Sequence, residues 1–471
     1  MYQSWFRHKL LSLTLALVVS TTIIIALLLP RITSHAAPPF TRHALTSSQG
    51  GWPTYLYTNK HQGYNPTETH ISASNVASLT LRWKFKTAGN VSAEPIVVNG
   101  VVYEGSNDGY IYAINATTGV MNWKTFLNVA TSSTCTRNPR GVTGTATVQN
   151  GVVYIGAGQY FFALDATTGT TLWKATLGTS GTPNDIVYSG SAVANGKVYV
   201  GISSLCDNPL TQGLLYALNT ADGTIAAQAA IVPDGTVGGG IWSVPTIDAI
   251  TRTVIVTTGS VEKKPPIQPM TASIITLNWN TLAVQQFWQV PNAQRIGDAD
   301  WGCTPTLFPG PTGSGKTYVG CVNKDSIYFV FDEANVSAGP IWQTVLAPGG
   351  ERGGVTGSFG SAAYLNGVLY IPSALGTVDG INYGGSIGAF DALTGNPIWR
   401  FGTAGPLAAS VIIANGLLYD AQGKTMEVRD LNTGNVLFSY TVGNIFGSVT
   451  VSNGVVYLPS FDNYIYAFAP S

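Results

Sequence analysis

The chain has 471 residues, of which 10% are charged, 11% are aromatic and 54 are glycine, and its 23 basic and 23 acidic side chains give a formal net charge of zero. This balance excludes the basic footprint of a nucleic-acid binder and an acidic disordered tail. All five histidines lie at positions 8, 35, 43, 61 and 70. Beyond residue 70 there is therefore neither a Ser-His-Asp triad nor a histidine-ligated metal, and no Cys-x-x-Cys-His exists to attach haem covalently.

Arg7 and Lys9 precede an uncharged, mostly apolar stretch, Leu10 to Pro30, long enough to span a bilayer. Ser34-His-Ala-Ala37 follows and offers a small-residue cleavage site. Residues 1–37 read either as a signal peptide or as an N-terminal anchor, with membrane attachment through residues 10–30 if uncleaved. Both readings export the rest of the chain to the extracellular or periplasmic side. Residues 38–76 read as an extended lead-in, turn-rich and aromatic at Trp52-Pro-Thr-Tyr55 and Gly63-Tyr-Asn-Pro66.

A repeat then takes over. Its clearest copy is Ala163-Leu-Asp-Ala-Thr-Thr-Gly-Thr-Thr-Leu-Trp173: a strand end, a tight turn and the next strand. Asp165 can accept from turn amides, and Gly169 supplies a positive φ. Trp173 is a large ring that can lie over the small Ala163, and its N–H needs an acceptor. The spacing recurs from Ala113 to Trp123 and from Ala389 to Trp399. Weaker copies run from Ala217 to Ala227, Val428 to Phe438, Val330 to Trp342 and Thr276 to Trp288. A period of about 50 residues is that of propeller blades. Asn-Gly pairs at 99, 150, 195, 366, 415 and 453 mark hairpins.

The strand around Trp83 has no repeat turn before it, whereas the last repeat, Ser448 to Phe468, stops before its tryptophan strand. The two complete each other and leave no open edge. The expectation is an all-β fold: an eight-bladed β-propeller of four-stranded antiparallel blades over residues 77–471, with the last blade closed by the N-terminal strand. Inner strands start near Pro95, Thr145, Ser191, Pro245, Pro305, Ser361, Ser410 and Ser448. Insertions at 128–142, 203–212, 261–271, 291–300, 347–356 and 374–385 should build a binding face.

Gly310-Pro-Thr-Gly-Ser-Gly-Lys-Thr317 matches the phosphate-loop pattern. That pattern requires a helix at the lysine, and here it lies between two strands, as a hairpin loop. Four cysteines in an exported chain suggest two bridges. Cys303 and Cys321 flank one hairpin, and Cys135 and Cys206 lie in loops of neighbouring blades. The expected pairs are Cys135–Cys206 and Cys303–Cys321.

The repeat, Ala-x-Asp-x-x-Thr-Gly-x-x-x-Trp above all, resembles the propeller of quinoprotein alcohol dehydrogenases, which use pyrroloquinoline quinone (PQQ). The resemblance covers about residues 52–471. It implies cofactor-binding roles for Arg140, in Cys135-Thr-Arg-Asn-Pro-Arg140-Gly141, as the carboxylate-binding guanidinium; for Trp242, in Gly239-Gly-Ile-Trp242, as the stacking floor; and for Lys324, in Asn323-Lys-Asp325, near the reactive carbonyl. It implies that Asp300, in Asp298-Ala-Asp-Trp-Gly302, is the catalytic base or a metal ligand. The chain departs from the family in two respects. Thr136 follows Cys135, so no vicinal disulfide can form. Cys206 stands at the family's metal-binding glutamate, leaving Asp300, Asp207 and Ser260 as a poor calcium set. The family's first-blade glutamate falls at Ser92, with Glu94 two residues on.

Two functions follow as expectations. One is a PQQ-dependent dehydrogenase acting on an alcohol or polyol, passing electrons to a separate acceptor. The other is a non-catalytic propeller of assembly or scaffold type, binding a protein or glycan through the same face. The same repeat serves both.

Overall fold

The computed structural model describes residues 51–131, 140–178, 185–207, 209–259, 268–295, 299–347 and 357–471. Eight four-stranded antiparallel sheets follow one another along the chain, apart from the last, which draws on both ends. Blade one comprises Ile96–Val98, Val101–Gly105, Tyr110–Asn115 and Met121–Phe126, and the inner strands of blades two to eight begin at Thr147, Ala192, Thr246, Thr306, Ala363, Ile412 and Thr450. The only helical segments among the described residues are three short 3-10 turns. None of the described helices is long and apolar enough to cross a membrane.

Blade eight is closed as the sequence requires. Leu79–Lys86 pairs with Tyr464–Pro470, with Trp83 opposite Ala467. Thr450 Oγ1 of blade eight donates to the Pro95 carbonyl ahead of blade one at 2.5 Å.

The repeat turn behaves as its residues dictate. Asp165 Oδ1 accepts from the amides of Thr167 (3.0 Å) and Thr168 (2.8 Å), and Gly169 has φ +73°. Ala163 pairs across the strand with Trp173, but the indole does not settle within its own blade. Its Nε1 donates to Thr220 O of the next blade at 3.0 Å, and its ring covers Gly223, where any Cβ would meet it at 2.5 Å. Trp83, Trp123 and Trp342 donate likewise to Ala116, Ala166 and Ala392. The repeat is thus a fastener between neighbours.

The expected Thr276-to-Trp288 copy is corrected. Thr276 faces Gln286, and Trp288 lies opposite Ile274. Gln286 Nε2 donates to Ala334 O at 2.8 Å, so an amide does here what an indole does elsewhere.

The lead-in is a strap that threads the inner strands in order. Trp52 bridges Val97 of blade one, and Pro53 O accepts from Val148 of blade two. Asn59 Nδ2 donates to Val193 O of blade three. The carbonyls of Asn59, Lys60, Gln62 and Gly63 accept from Ile247, Leu307, Tyr364 and Ile413 of blades four to seven. Asn65 Nδ2 reaches Val451 O of blade eight.

Thr306–Pro309 and Thr317–Val322 are antiparallel partners, so Gly310 to Lys316 is a hairpin loop, and Lys316 is ion-paired to Asp332 at 2.7 Å. The Cys303–Cys321 disulfide spans this hairpin, with Cα atoms 5.8 Å apart. Cys206 is disulfide-bonded; Cys135 lies outside the described residues, as do residues 1–50, Ser260 and Asp298.

Candidate functional site

Around the axis, the residue two positions before each inner strand is small or hydroxylated in most blades. Amides and hydroxyls of neighbouring blades link there: Val244 N to Thr304 Oγ1 (2.9 Å), Thr304 N to Ser361 Oγ (3.0 Å), Ser361 N to Ser410 Oγ (2.7 Å) and Ser410 N to Ser448 Oγ (3.1 Å). Tyr55 of the strap hydrogen-bonds Ser410 Oγ at 2.7 Å. In blade one this position is Glu94, whose Oε1 accepts from Trp52 Nε1 and from the Leu56 amide. Burial pushes the Glu94 carboxyl up to about 8, against the pull of those two donors. Glu104, also buried, is driven well above the carboxylate range by burial and then by Glu94.

Two residues before this ring lies a second layer, where the candidate residues gather. Ser92, Thr143, Gly302 and Ala408 are small; Tyr188, Trp242, Phe359 and Phe446 are not. The Trp242 indole lies against Gly302, where a Cβ would come within 1.9 Å of the ring, and beside Gly259, whose Cβ would lie 2.6 Å from Trp242 Nε1 and 3.0 Å from Asp300 Oδ2. Two glycines therefore create the space for the indole and the carboxylate.

Lys324 comes from the turn after Thr317–Val322. Its amide donates to Asp300 O at 2.9 Å. Its Nζ lies 3.0 Å from Asp300 Oδ2 and 5.1 Å from the centre of the Trp242 ring. The Asp300 and Lys324 side chains are only 5% and 13% exposed, so water screens the pair little. Arg140 is fixed by a two-way backbone bridge to Ala130. Its guanidinium lies 5.8 Å from the Tyr188 ring centre, and Tyr188 meets Trp242 edge-on at 6.4 Å. Arg140 Nε is buried and has no hydrogen-bond partner.

Thus Arg140, Trp242 and Asp300, from three different blade connections, and Lys324, from a turn within blade five, are linked by contact into one cluster. Tyr188 and Phe359 escaped the sequence reading, and Glu94 entered it only as the residue two positions after Ser92. Aligning the blades at the ring position would have shown Glu94 as the one acidic residue of the ring and Tyr188 and Phe359 beside Trp242 among the aromatic members of the layer before it. Asp207 is an exposed residue next to Cys206, both with left-handed backbone (φ +52° and +59°).

The donor set can be weighed against the groups expected of it. A flat indole laid on glycine, a half-buried arginine with a buried, unpartnered Nε and an ammonium over the ring suit a planar polycarboxylate such as PQQ. The residues do not fit calcium. Cys206 sulfur is committed to a disulfide, Asp300 is engaged by Lys324, and among the described residues no group of three carboxylate, histidine or thiol side chains could hold a metal.

The fold and repeat define a PQQ-repeat β-propeller. The family model described as outer membrane protein assembly factor BamB matches residues 67–262 and 383–471, more than half of the chain, and the chain belongs to this PQQ-repeat propeller family. It is 24% identical over 488 aligned residues to a polyvinylalcohol dehydrogenase of Sphingopyxis sp. (strain 113P3), covering 87% of this chain and 72% of that one. A quinohemoprotein alcohol dehydrogenase from Comamonas testosteroni superposes with TM-score 0.75 at 17% identity, covering 92% of this chain and 82% of that one. BamB from Moraxella catarrhalis superposes with TM-score 0.59 at 17% identity, covering 83% and 99%. At such identities the two structures speak for the fold.

Proposed function

We propose that the chain is an exported PQQ-dependent dehydrogenase that oxidises an alcohol or polyol. The observation that carries this reading is Lys324 Nζ placed both 3.0 Å from the Asp300 carboxylate and over the Trp242 ring. Trp242 would support the quinone, and Arg140 would bind one of its carboxylates. Bound PQQ would supply the two-electron acceptor. Asp300 takes the hydroxyl proton from the substrate, and Lys324 keeps that carboxylate oriented. Export is supported by the disulfide chemistry of Cys303 and Cys321 and by the apolar stretch after Lys9. The electron acceptor would be a separate molecule.

The non-catalytic reading, in which the same face holds a protein or glycan, is favoured by one observation: the sulfur of Cys206 is in a disulfide where the dehydrogenases are expected to carry a metal-binding glutamate. Titration with PQQ, followed by quenching of tryptophan fluorescence, separates the two. Saturable quenching that disappears in Trp242→Ala, together with dye reduction on a panel of alcohols, supports the dehydrogenase. No quenching at micromolar PQQ ends that reading.

A further inference from the structure

We infer that the rings of Phe359, Phe446 and Phe461, which lead away from Trp242, form a track for an extended, uncharged polyhydroxylated chain, laid on the rings by its C–H faces. The inference rests on the dehydrogenase reading only in placing one hydroxyl of that chain at Asp300.

The rings follow one another from the candidate centre outward. Trp242 and Phe359 are 6.0 Å apart, Phe359 and Phe446 6.5 Å at 10° between planes, and Phe446 and Phe461 4.6 Å at 19°. Three of the four occupy the layer two residues above the axial ring. Blades one, two, five and seven carry Ser92, Thr143, Gly302 and Ala408 there and close equally well. The fold does not require an aromatic side chain at this level, so Phe359 and Phe446 answer to something else. Phe446 is 41% exposed, although an aromatic ring gains by leaving water.

The charge next to the track is internally consumed. Asp462 accepts from the amides of Gly443 and Tyr464 and from the Tyr466 hydroxyl. Among the described residues, a ligand lying along Phe359, Phe446 and Phe461 meets apolar ring faces, which suits a neutral chain with C–H faces and hydroxyl edges. Continuity with Trp242 gives that chain its register: the track begins where Lys324 and Asp300 meet. Carbohydrate and vinyl-alcohol oligomers share this chemistry.

The test is calorimetric titration of the cofactor-free protein with cellohexaose and with a vinyl-alcohol oligomer of similar length, each against its monomer, glucose or 2-propanol. The expected result is that at least one oligomer binds at least tenfold more tightly than its monomer, and whichever does so identifies the source. In Phe446→Ala/Phe461→Ala this oligomer-to-monomer ratio falls toward one. Phe446→Leu/Phe461→Leu keeps apolar area but loses the ring faces, and gives the same fall if the track acts by stacking. Equal binding of oligomer and monomer, an unchanged ratio in both variants, or preference for an amphipathic peptide over both oligomers overturns the inference. Because PQQ is absent throughout, its failure is distinct from failure of the redox reading, which PQQ titration alone decides.

Discussion

Lys324 Nζ and Asp300 Oδ2 lie 3.0 Å apart with both side chains nearly withdrawn from water. Removing the carboxylate by Asp300→Asn should lower the turnover of the PQQ-loaded protein by about 10²- to 10⁴-fold, the usual worth of a positioned base. PQQ should still quench tryptophan fluorescence, since Trp242 and Arg140 remain. Steady-state dye reduction together with the quenching titration checks both halves.

Gly302→Ala tests how the indole is held. The new methyl would arrive within 1.9 Å of the Trp242 ring, so the ring must lift or turn. PQQ affinity should fall at least tenfold, while melting temperature falls by only a few degrees, in line with about 1–3 kcal/mol for overpacking. Retained affinity would show that the ring's seat on Gly302 is not what binds the cofactor.

The axial carboxyl of Glu94 gives a pH signature. Its folded value is raised to about 8 from a usual 4.5, so between these pH values the unfolded chain gives up the proton first. Folding stability therefore falls as pH rises from about 4.5 to 8, by at most about 1.4 kcal/mol per pH unit for this one group. Glu94→Gln keeps the acceptor for Trp52 and Leu56 and cannot ionise. Relative to the parent it should gain stability as pH climbs through that window, read from urea melts at pH 5 and pH 8. His61 acts in the opposite sense: burial lowers it to about 4, so its contribution is lost as pH falls from 6.5 toward 4. The comparison with Glu94→Gln cancels that term.

The inter-blade fastener can be measured directly. Trp173→Ala removes a ring seated on Gly223 and its bond to Thr220 O, and should cost about 3–5 kcal/mol. Gln286→Ala removes the amide substitute between blades four and five and should cost nearer 1 kcal/mol. Equal losses in denaturant melts would mean that the indoles add no packing beyond their hydrogen bonds.

The blades were legible because each turn residue has a local physical reason. Asn99 and Gly100 both take positive φ (51° and 74°), as an Asn-Gly hairpin demands, and Asp165 satisfies its own turn. Closure was legible because Trp83 had a strand without a turn. The convergence of Arg140, Trp242, Asp300 and Lys324 was legible only through family resemblance, since no local pattern brings three blade connections and a turn together. What lay hidden was relational. That Trp173 fastens onto the next blade rather than its own depends on the angle between sheets. That Gln286 rather than Trp288 stands in that register depends on one strand's pairing. The strap from Trp52 to Asn65 has no periodicity, and its role comes from touching eight partners that are distant in sequence.

The partner of Leu79–Lys86 is Tyr464–Pro470, at the far side of seven intervening blades. A nascent chain therefore carries an unmatched edge while all seven intervening blades are made, and the wheel cannot lock before residues 464–470 are available. Proteolysis or premature termination ahead of residue 464 would leave both blade eight and the seam to blade one unmade, so truncated products should be cleared rather than accumulate as seven-bladed remnants.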